Sequence, residues 1–563
     1  MTRILYQWIL PSPVPKTIND NLDSYSLPFR SILYRRGCKT AQDAITLLLP
    51  KAPDFPRELA LGHLGLAANL IKSALDKNLK IAVYGDYDTD GITATALLSL
   101  ALKKISSRVI PFIPSRLNDG YGLNQSSLTL LQKQGVELLI TVDNGTRSHS
   151  EIAYAKSLGM KVIITDHHLP PDPLPEADAI INPKLPGDPY PNKNLAGVGV
   201  AYKLVHVLSS YFPEIAPDEY LDLVALGTVA DIVPLLGENR YLVKQGLIQI
   251  NQHRRQSLAS LLGAAGLSER NITASDISFQ IAPRINSSGR LSGTDHLIPL
   301  KLLLSSASSE CGNYAQNLEL HNHRRKHISR KMQERIESQF ASRDPLPPIL
   351  ISLEPENHLG VAGITAGHLT SKYYLPAIVG AIGSDSTTAS CRSIPEFNIV
   401  SALERNKDLL THFGGHKLAA GFTLKNHNIP LFLEKMAALA ESELSSFSLR
   451  PSLKIDAIVS LSDLDRSLYR ELRKLEPTGE GNPAPVFAVL GVRAKNVSKV
   501  GKHGEHLKLI VSDGTNSMPG IAFGLGSLSN AMPSKFNLAF NFTENEYRGR
   551  KEFQLQILDL QPI

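Results

Sequence analysis

Cysteine is scarce in this chain of 563 residues: Cys38, Cys311 and Cys391 are all there are. Three cysteines, odd in number and widely spaced, fit neither a disulfide framework nor a zinc site, so a reducing cytoplasm is the expected compartment. Long apolar runs are missing as well. None approaches the roughly 20 residues of a membrane span, and no membrane partner is expected. The stretch MTRILYQWILPSPVPK lacks a long apolar region and a small-residue cleavage site, and reads as mature sequence. Internal repeats and low-complexity tracts are absent. A strong charge imbalance is also lacking: 59 Lys and Arg face 53 Asp and Glu, for a net charge of +6 and a pI of about 8.9. Such a mild basic excess permits nucleic-acid binding without showing it. What remains is ordinary globular composition, 42% hydrophobic and 20% charged, in a length that suggests about three or four domains.

From Lys80 the pattern is strand, loop, helix, repeated. KIAVY, VIPFIP, ELLITV, KVIIT and DAIIN are continuous apolar strands, and helices such as ITATALLSLALKKI and EIAYAKSLG lie between them. Buried strands alternating with helices predict an α/β domain with a parallel sheet covered on both faces. A long polar helix is expected over 305–340, then a second α/β block over about 348–447. After Pro451 five or six short strands with turn residues predict a small barrel of the oligonucleotide-binding type. The segments are a helical N-terminal stretch (1–65), a catalytic domain (66–300), a connecting helix (301–345), a substrate-binding domain (346–450) and the barrel (451–563).

Ligands of such sheets bind beyond the carboxyl ends of the strands, and that is where the acids fall. VYGDYDTDG carries Asp86, Asp88 and Asp90, TVDNG carries Asp143, ITDHH carries Asp166, His167 and His168, and GTVADIVPL carries Asp231. Each segment places a carboxylate where a strand is expected to end. Taken singly, each has a plainer reading. GDYDTDG can be an Asp-rich turn capping a helix, Asp143 a turn residue, and Asp231 half of a salt bridge or a cap. An EF-hand is excluded because no bidentate Glu follows at the required spacing. Together they describe a two-metal hydrolase site. Imidazole suits Mn²⁺, and carboxylates also accept Mg²⁺. Two such cations held about 3.5–4 Å apart would activate a water and neutralise phosphoryl oxygens. Cationic positioning groups are then needed. Arg116, Arg284, Arg290, Arg392 and His416 are the candidates, and any of them can equally be a surface charge. GGH beside AAG implies close backbone approach around His416.

These residues resemble the RecJ exonucleases of the DHH phosphoesterase superfamily. The likeness runs through GDYDTDG, IPSRLNDGYGLN, TVDNG, ITDHH, GTVADIVPL, APRINSSGRL, HLGVAGITAGHL, FGGHKLAAGFTL and LEPTGEGNPAPVF, in that order. It covers nearly the whole chain. It implies 5′→3′ exonuclease action on single-stranded DNA, releasing 5′-mononucleotides, in recombination and repair. Two divalent ions, Mn²⁺ or Mg²⁺, are the implied cofactors. The implied architecture is a parallel-sheet DHH catalytic domain, a long helix, a DHH-associated α/β domain and a barrel. By motif, Asp88 and Asp90 would hold the two metals, Asp143 would bridge them, and His167 and Asp231 would complete the ligand set of the second metal, with Asp86 a further candidate. His168 would aid substrate activation, oriented by Asp166. Arg116, Arg284, Arg290, Ser390, Arg392 and His416 would line the substrate path, some of them gripping a terminal 5′ phosphate. His368 departs from the basic residue expected at the end of HLGVAGITAGHL and leaves one peripheral contact in doubt. A monomer is implied, with single-stranded DNA as substrate and a single-strand binding protein and a helicase as partners. Phe487, Phe523, Phe540, Phe542 and Tyr547 are aromatic candidates for stacking on bases, against the alternative that they fill the barrel core. Two rivals stand beside this reading. A small-substrate phosphoester hydrolase of the same superfamily would not need the barrel, and a non-catalytic scaffold would be expected to have lost its metal ligands.

Overall fold

In this computed structural model the described residues are 6–52, 62–115, 122–291, 295–341, 343–547 and 550–563, the side chains of Tyr547 and Arg550 excepted. The chain divides into two compact units. One comprises Pro50–Lys326 with Pro477–Pro483, and the other comprises Met1–Leu49, His327–Glu476 and Ala484–Ile563.

The unit of Pro50–Lys326 is built on five parallel strands: β1 (Ile81–Tyr84), β2 (Val109–Phe112), β3 (Leu138–Val142), β4 (Lys161–Thr165) and β5 (Ala179–Ile181). Their order is β2-β1-β3-β4-β5. Both faces are covered, as the unbroken apolar strands predict. Ile81, Val83, Ile140, Val142 and Ile163 enter one core, with Leu97, Leu98, Val198 and Leu226 among its helical members. Ala82, Tyr84, Leu139, Val162 and Ile164 face the other way, onto Leu128, Leu131, Ile152 and Ala155. The strand order reverses between β1 and β3, and the crevice beyond their carboxyl ends is where such sheets bind ligands. Five helices border or support that crevice: α1 (Thr89–Lys103), α2 (Gly197–Leu208), α3 (Leu221–Ala230), α4 (Gly237–Asn251) and α5 (Ala282–Leu291). Helix α6 (Ser308–Phe340) is the long polar helix, and the boundary between the units falls within it.

In the other unit β6 (Leu350–Glu354), β7 (Ala377–Ile382), β8 (Ser386–Arg392), β9 (Leu410–His416) and β10 (Ala419–Lys425) form a mixed sheet of order β9-β10-β8-β7-β6. Only β6 and β7 run parallel. Helix α7 (Leu359–Tyr373) packs on it. Strands β11 (Phe487–Val500), β12 (His506–Ser512), β13 (Ser517–Ala522), β14 (Phe536–Tyr547) and β15 (Arg550–Pro562) close into a five-stranded barrel, because β14 pairs with both β15 and β11. The first residues belong with this barrel. Leu22, Phe29, Ile32, Leu33, Ala44 and Leu48 share one apolar core with Val489, Leu509, Phe536 and Leu555. Gln7–Ile9 also forms a strand, absent from the sequence reading, that pairs in parallel with Ser452–Lys454. Phe487, Phe540 and Phe542 are buried in the barrel, so the core reading holds for them, whereas Phe523 is 58% exposed. The Tyr547 side chain lies outside the described set.

Candidate metal centre

β1 runs into GDYDTDG, whose last residues are already helix. Asp88 is the N-cap of α1 and accepts the Gly91 N–H at 3.0 Å, and Asp90 sits in the first turn. The capping alternative is realised for Asp88, and it leaves the ligand reading open, since a cap uses one carboxylate oxygen and leaves the other. β3 ends in Asp143, held at φ 61°. Asp is among the residues that tolerate the left-handed region, and such conformations gather at functional sites. Thr141 Oγ1 donates to the Asn144 carbonyl at 2.8 Å, and the Asn144 amide donates to the Val142 carbonyl at 2.9 Å, which locks the turn.

β4 ends in the Asp-His-His turn. Asp166 is fully engaged there. Its Oδ1 accepts the His168 ring Nδ1–H at 2.7 Å and the backbone N–H groups of His167 (2.7 Å) and His168 (3.1 Å), and its Oδ2 accepts the Thr146 N–H at 2.9 Å. Burial alone would raise the pKa of this carboxyl, but those hydrogen bonds and the nearby imidazoles hold it well below the carboxylate range. Asp166 thus anchors the turn, with both carboxylate oxygens taken up by protein donors. His168 is shifted up: burial opposes its charge, and the Asp166 hydrogen bond with the fields of Asp166, Asp88 and Asp90 outweighs burial. His167 goes the other way, down to about 3, through burial and the His168 charge. The two imidazoles, shifted in opposite directions, stand side by side with 4.6 Å between ring centroids.

Asp231 departs from the sequence reading. It ends no strand: LVALGTVA is helix α3, and Asp231 is its C-cap. Ile232, which follows, has φ 60°, a strained conformation for a β-branched residue.

Three groups of ligand atoms lie within 4.8 Å of one another: Asp86, Asp88 and Asp143; Asp90, His167 and Asp231; and Asp143, His167 and His168. The first two are neighbours, and Asp143 of the first stands against His167 of the second. Its Oδ1 lies 3.1 Å from His167 Nε2, and both atoms are buried without a hydrogen bond of proper geometry. Buried carboxylates this crowded resist ionisation. Burial, then Asp88, pushes the Asp90 pKa up to about 7. Burial, then Asp90 and Asp88, pushes Asp231 up to about 9, and Asp143 is likewise raised well above the usual range. Oxygen and imidazole donors, mutual repulsion and unsatisfied buried ligand atoms fit a pair of hard or borderline divalent cations.

The backbone completes the pocket, and no side-chain pattern announces it. The N–H groups of Gly197 and Val198, at the start of α2, donate to the two oxygens of Asp90 at 2.6 and 2.8 Å. Lys184 was also missed by the sequence reading. It is half-buried, with its pKa lowered by burial and raised in part by Asp231 and Asp166. Its main-chain N–H donates to Asn182 Oδ1 at 2.9 Å, and the Asn182 amide donates to the His168 carbonyl at 2.8 Å. A Cβ at Gly91 would come within 2.6–2.8 Å of the Asp86 N, O and Cα, all backbone atoms that cannot swing aside. Gly91→Ala is therefore expected to shift the Asp86–Asp90 loop. Overpacking of this kind destabilises by about 1–3 kcal/mol, and a misplacement near 1 Å lowers turnover about 100-fold. Calorimetry and Mn²⁺-dependent hydrolysis of single-stranded DNA read the two effects, and wild-type values in both would show that the loop gives way freely.

The cationic candidates scatter. Arg116 lies outside the described residues. Arg284 is buried, paired with Glu319 of α6, and donates to the Gln280 carbonyl at 2.6 Å, so its fork faces protein groups. Arg290 is on the last turn of α5. Ser390 and Arg392 on β8, and His416 at the exposed end of β9, belong to the other compact unit. Arg392 lies over Gly363 and Gly367 of α7, where a Cβ would meet its side chain at 3.2 and 3.9 Å. No carboxylate pairs with it among the described residues. Gly415 has φ 144°, and a Cβ there would come within 2.5 Å of the Ala420 Cα, the close approach expected beside His416. His368 pairs with Glu337 at 2.7 Å, as does Lys372 at 2.6 Å.

The chain matches three family models: the DHH family N-terminal domain over residues 80–228, the DHHA1 domain over 347–442 and the RecJ OB domain over 455–559. It is 36% identical over 534 residues to the single-stranded-DNA-specific exonuclease RecJ of Bacillus subtilis, covering 94% of this chain and 67% of that one. It is 36% identical over 569 residues to the RecJ of Escherichia coli, covering 95% and 96%. Among solved structures it is similar to RecJ from Thermus thermophilus in complex with Mn²⁺, with a TM-score of 0.85, 30% identity, and coverage of 99% of this chain and 80% of that one. The Mg²⁺ complex gives a TM-score of 0.78 at the same identity, covering 99% and 79%.

Proposed function

The chain belongs to the RecJ family of single-stranded-DNA-specific exonucleases, and from that premise we propose that it removes nucleotides from the 5′ end of single-stranded DNA as 5′-mononucleotides, in recombination and repair. The observation that carries this reading is Asp143, which belongs with Asp86 and Asp88 and lies 3.1 Å from His167 of the Asp90, His167 and Asp231 group, at the carboxyl edge of the sheet. Its cofactors are two divalent cations, Mn²⁺ or Mg²⁺. Asp86, Asp88 and Asp143 would hold one, and Asp90, His167 and Asp231 the other, with Asp143 shared. Bound there, the cations would supply an acidified water and neutralise phosphoryl charge.

The chain's own groups do the rest. Neutral His167 is ready to give a lone pair. His168, its Nδ1–H committed to Asp166 and its charged form favoured by that carboxylate, has Nε2 left to meet a phosphoryl oxygen, donating a hydrogen bond in the charged form as charge builds. Lys184 adds an amine whose charged form is favoured by Asp231 and Asp166 against burial. Arg116, Arg290, Ser390, Arg392 and His416 would grip phosphates of the strand, the terminal one included. Phe523 is the barrel aromatic open to a base, while Arg284, engaged with Glu319, would act by holding α5. A monomer in the cytoplasm, working with a single-strand binding protein and a helicase, completes the proposal. Three free buried cysteines agree with a reducing compartment.

A long single strand labelled at either end in parallel and digested with Mn²⁺ tests this. Immediate release of labelled mononucleotide from the 5′ label, with slow shortening of the 3′-labelled strand, is the expected result. Turnover of dinucleotides alone would move the reading to a small-substrate phosphodiesterase, against which the RecJ OB match over 455–559 already speaks.

A further inference from the structure

The ligands Asp90 and Asp231 come from different helices, and neither is fixed by a strand. Asp90 depends on the first N–H groups of α2. Asp231 hangs on the end of α3, followed by Ile232 in a strained conformation. A cation between them needs the start of α2 and the segment after α3 to keep their spacing.

One side chain spans both. Asn239, 1% exposed at the start of α4, donates through its amide to the Asn194 carbonyl at 2.6 Å and to the Pro234 carbonyl at 3.1 Å. Asn194 lies three residues before Gly197, and Pro234 three residues after Asp231. The amide oxygen of Asn239 accepts from Asn192 at 3.1 Å, which sets the orientation of the group. Its neighbour Glu238 accepts the Tyr190 hydroxyl at 2.8 Å and the Asn192 amide at 3.2 Å, and pairs with the buried Lys203 of α2. The loop before α2 is thereby tied to the same turn that carries the chain away from Asp231. None of these bonds reaches Asp86 or Asp88, whereas Gly197 itself packs on Asp143, where a Cβ would come within 2.5 Å of its Cβ and Oδ1.

We infer that Asn239 is the positioning residue for the cation held by Asp90, His167 and Asp231, and that it sets the affinity of that position more strongly than that of the other. The inference rests on the metal-centre reading. Side chains that orient ligands typically change metal affinity about 10- to 100-fold when removed. Both carbonyls that Asn239 holds would be released together in Asn239→Ala.

The experiment is a titration of metal-free protein with Mn²⁺, with free Mn²⁺ read by electron paramagnetic resonance. Wild-type protein is expected to bind two ions. Asn239→Ala is expected to bind one ion at least about 10-fold more weakly and the other with a clearly smaller loss. Turnover should recover at saturating Mn²⁺, with its Mn²⁺ midpoint displaced by the same factor. Asn192→Ala, at a half-buried position, should shift the same site in the same direction by less, and it decides the matter if Asn239→Ala does not fold. Wild-type affinity at both sites in a variant of lowered Tm would make Asn239 a structural brace only and overturn the inference. Equal weakening of both sites would overturn it too. Wild-type protein that bound no Mn²⁺ would bring down the metal-centre reading itself, and the inference with it.

Discussion

Asp143→Asn is expected to lower Mn²⁺-dependent turnover by at least about 1,000-fold, the equivalent of some 4 kcal/mol of lost transition-state stabilisation. Asn keeps the size of the side chain and tolerates the left-handed backbone at φ 61°, so the loss reports the missing charge and not a broken turn. The same variant should be no less stable than wild type when metal-free. Asp143 is surrounded by Asp90, Asp88, Asp231 and Asp86, each of which raises its pKa after burial has done so. Neutralising it removes repulsion that the fold carries for the sake of the site, the usual exchange of stability for function. Thermal melts in EDTA and in Mn²⁺ check both halves. Wild-type turnover in Asp143→Asn would remove Asp143 from the centre of the site.

Mn²⁺ itself is expected to stabilise the protein, and by more as the pH rises. A carboxyl whose folded pKa is raised binds its proton more tightly in the folded chain, so its own contribution to metal-free stability is fullest in acid and falls as pH climbs past the unfolded pKa near 4. For Asp90 the fall is complete above about 7, and for Asp231 above about 9. Cations require the deprotonated form. Their contribution therefore grows through the window in which that of the carboxyls declines. With free Mn²⁺ at about 100 times Kd, each site adds about 2.7 kcal/mol. Two sites should raise the Tm of a unit this size by on the order of 10 °C at pH 8, and by much less at pH 5.5. A shift that does not change with pH would mean that these carboxyls are already ionised without metal.

The acids on the sheet edge were legible because a parallel sheet writes its strands as unbroken apolar runs, and Asp143 and Asp166 stand immediately after two of them. Asp231 was found with the wrong support. Helix α3 is buried on every side, so its sequence has no polar face and no helical period to distinguish it from a strand. The N–H groups of Gly197 and Val198 were invisible, since every residue but proline offers one. Arg284 read as a free cation because its partner, Glu319, is 35 residues away on another helix. Three barrel phenylalanines proved to be core, as a small closed barrel needs large side chains to fill it. The strand at Gln7–Ile9 has three residues beside prolines, too little pattern to recognise.

The parallel pairing of Gln7–Ile9 with Ser452–Lys454, and the core that the early helices share with the barrel, bear on the order in which a ribosome can deliver this fold. The apolar faces of Phe29, Ile32 and Leu33 emerge long before their partners, which extend to Leu560. At about 5–20 residues per second, some 500 further residues take roughly 25–100 s. During that interval the intervening unit can complete its own core, while the early helices are exposed and without a partner. Chaperone occupancy on nascent chains should accordingly begin early, persist through synthesis of the sheet, and end only when the barrel has closed.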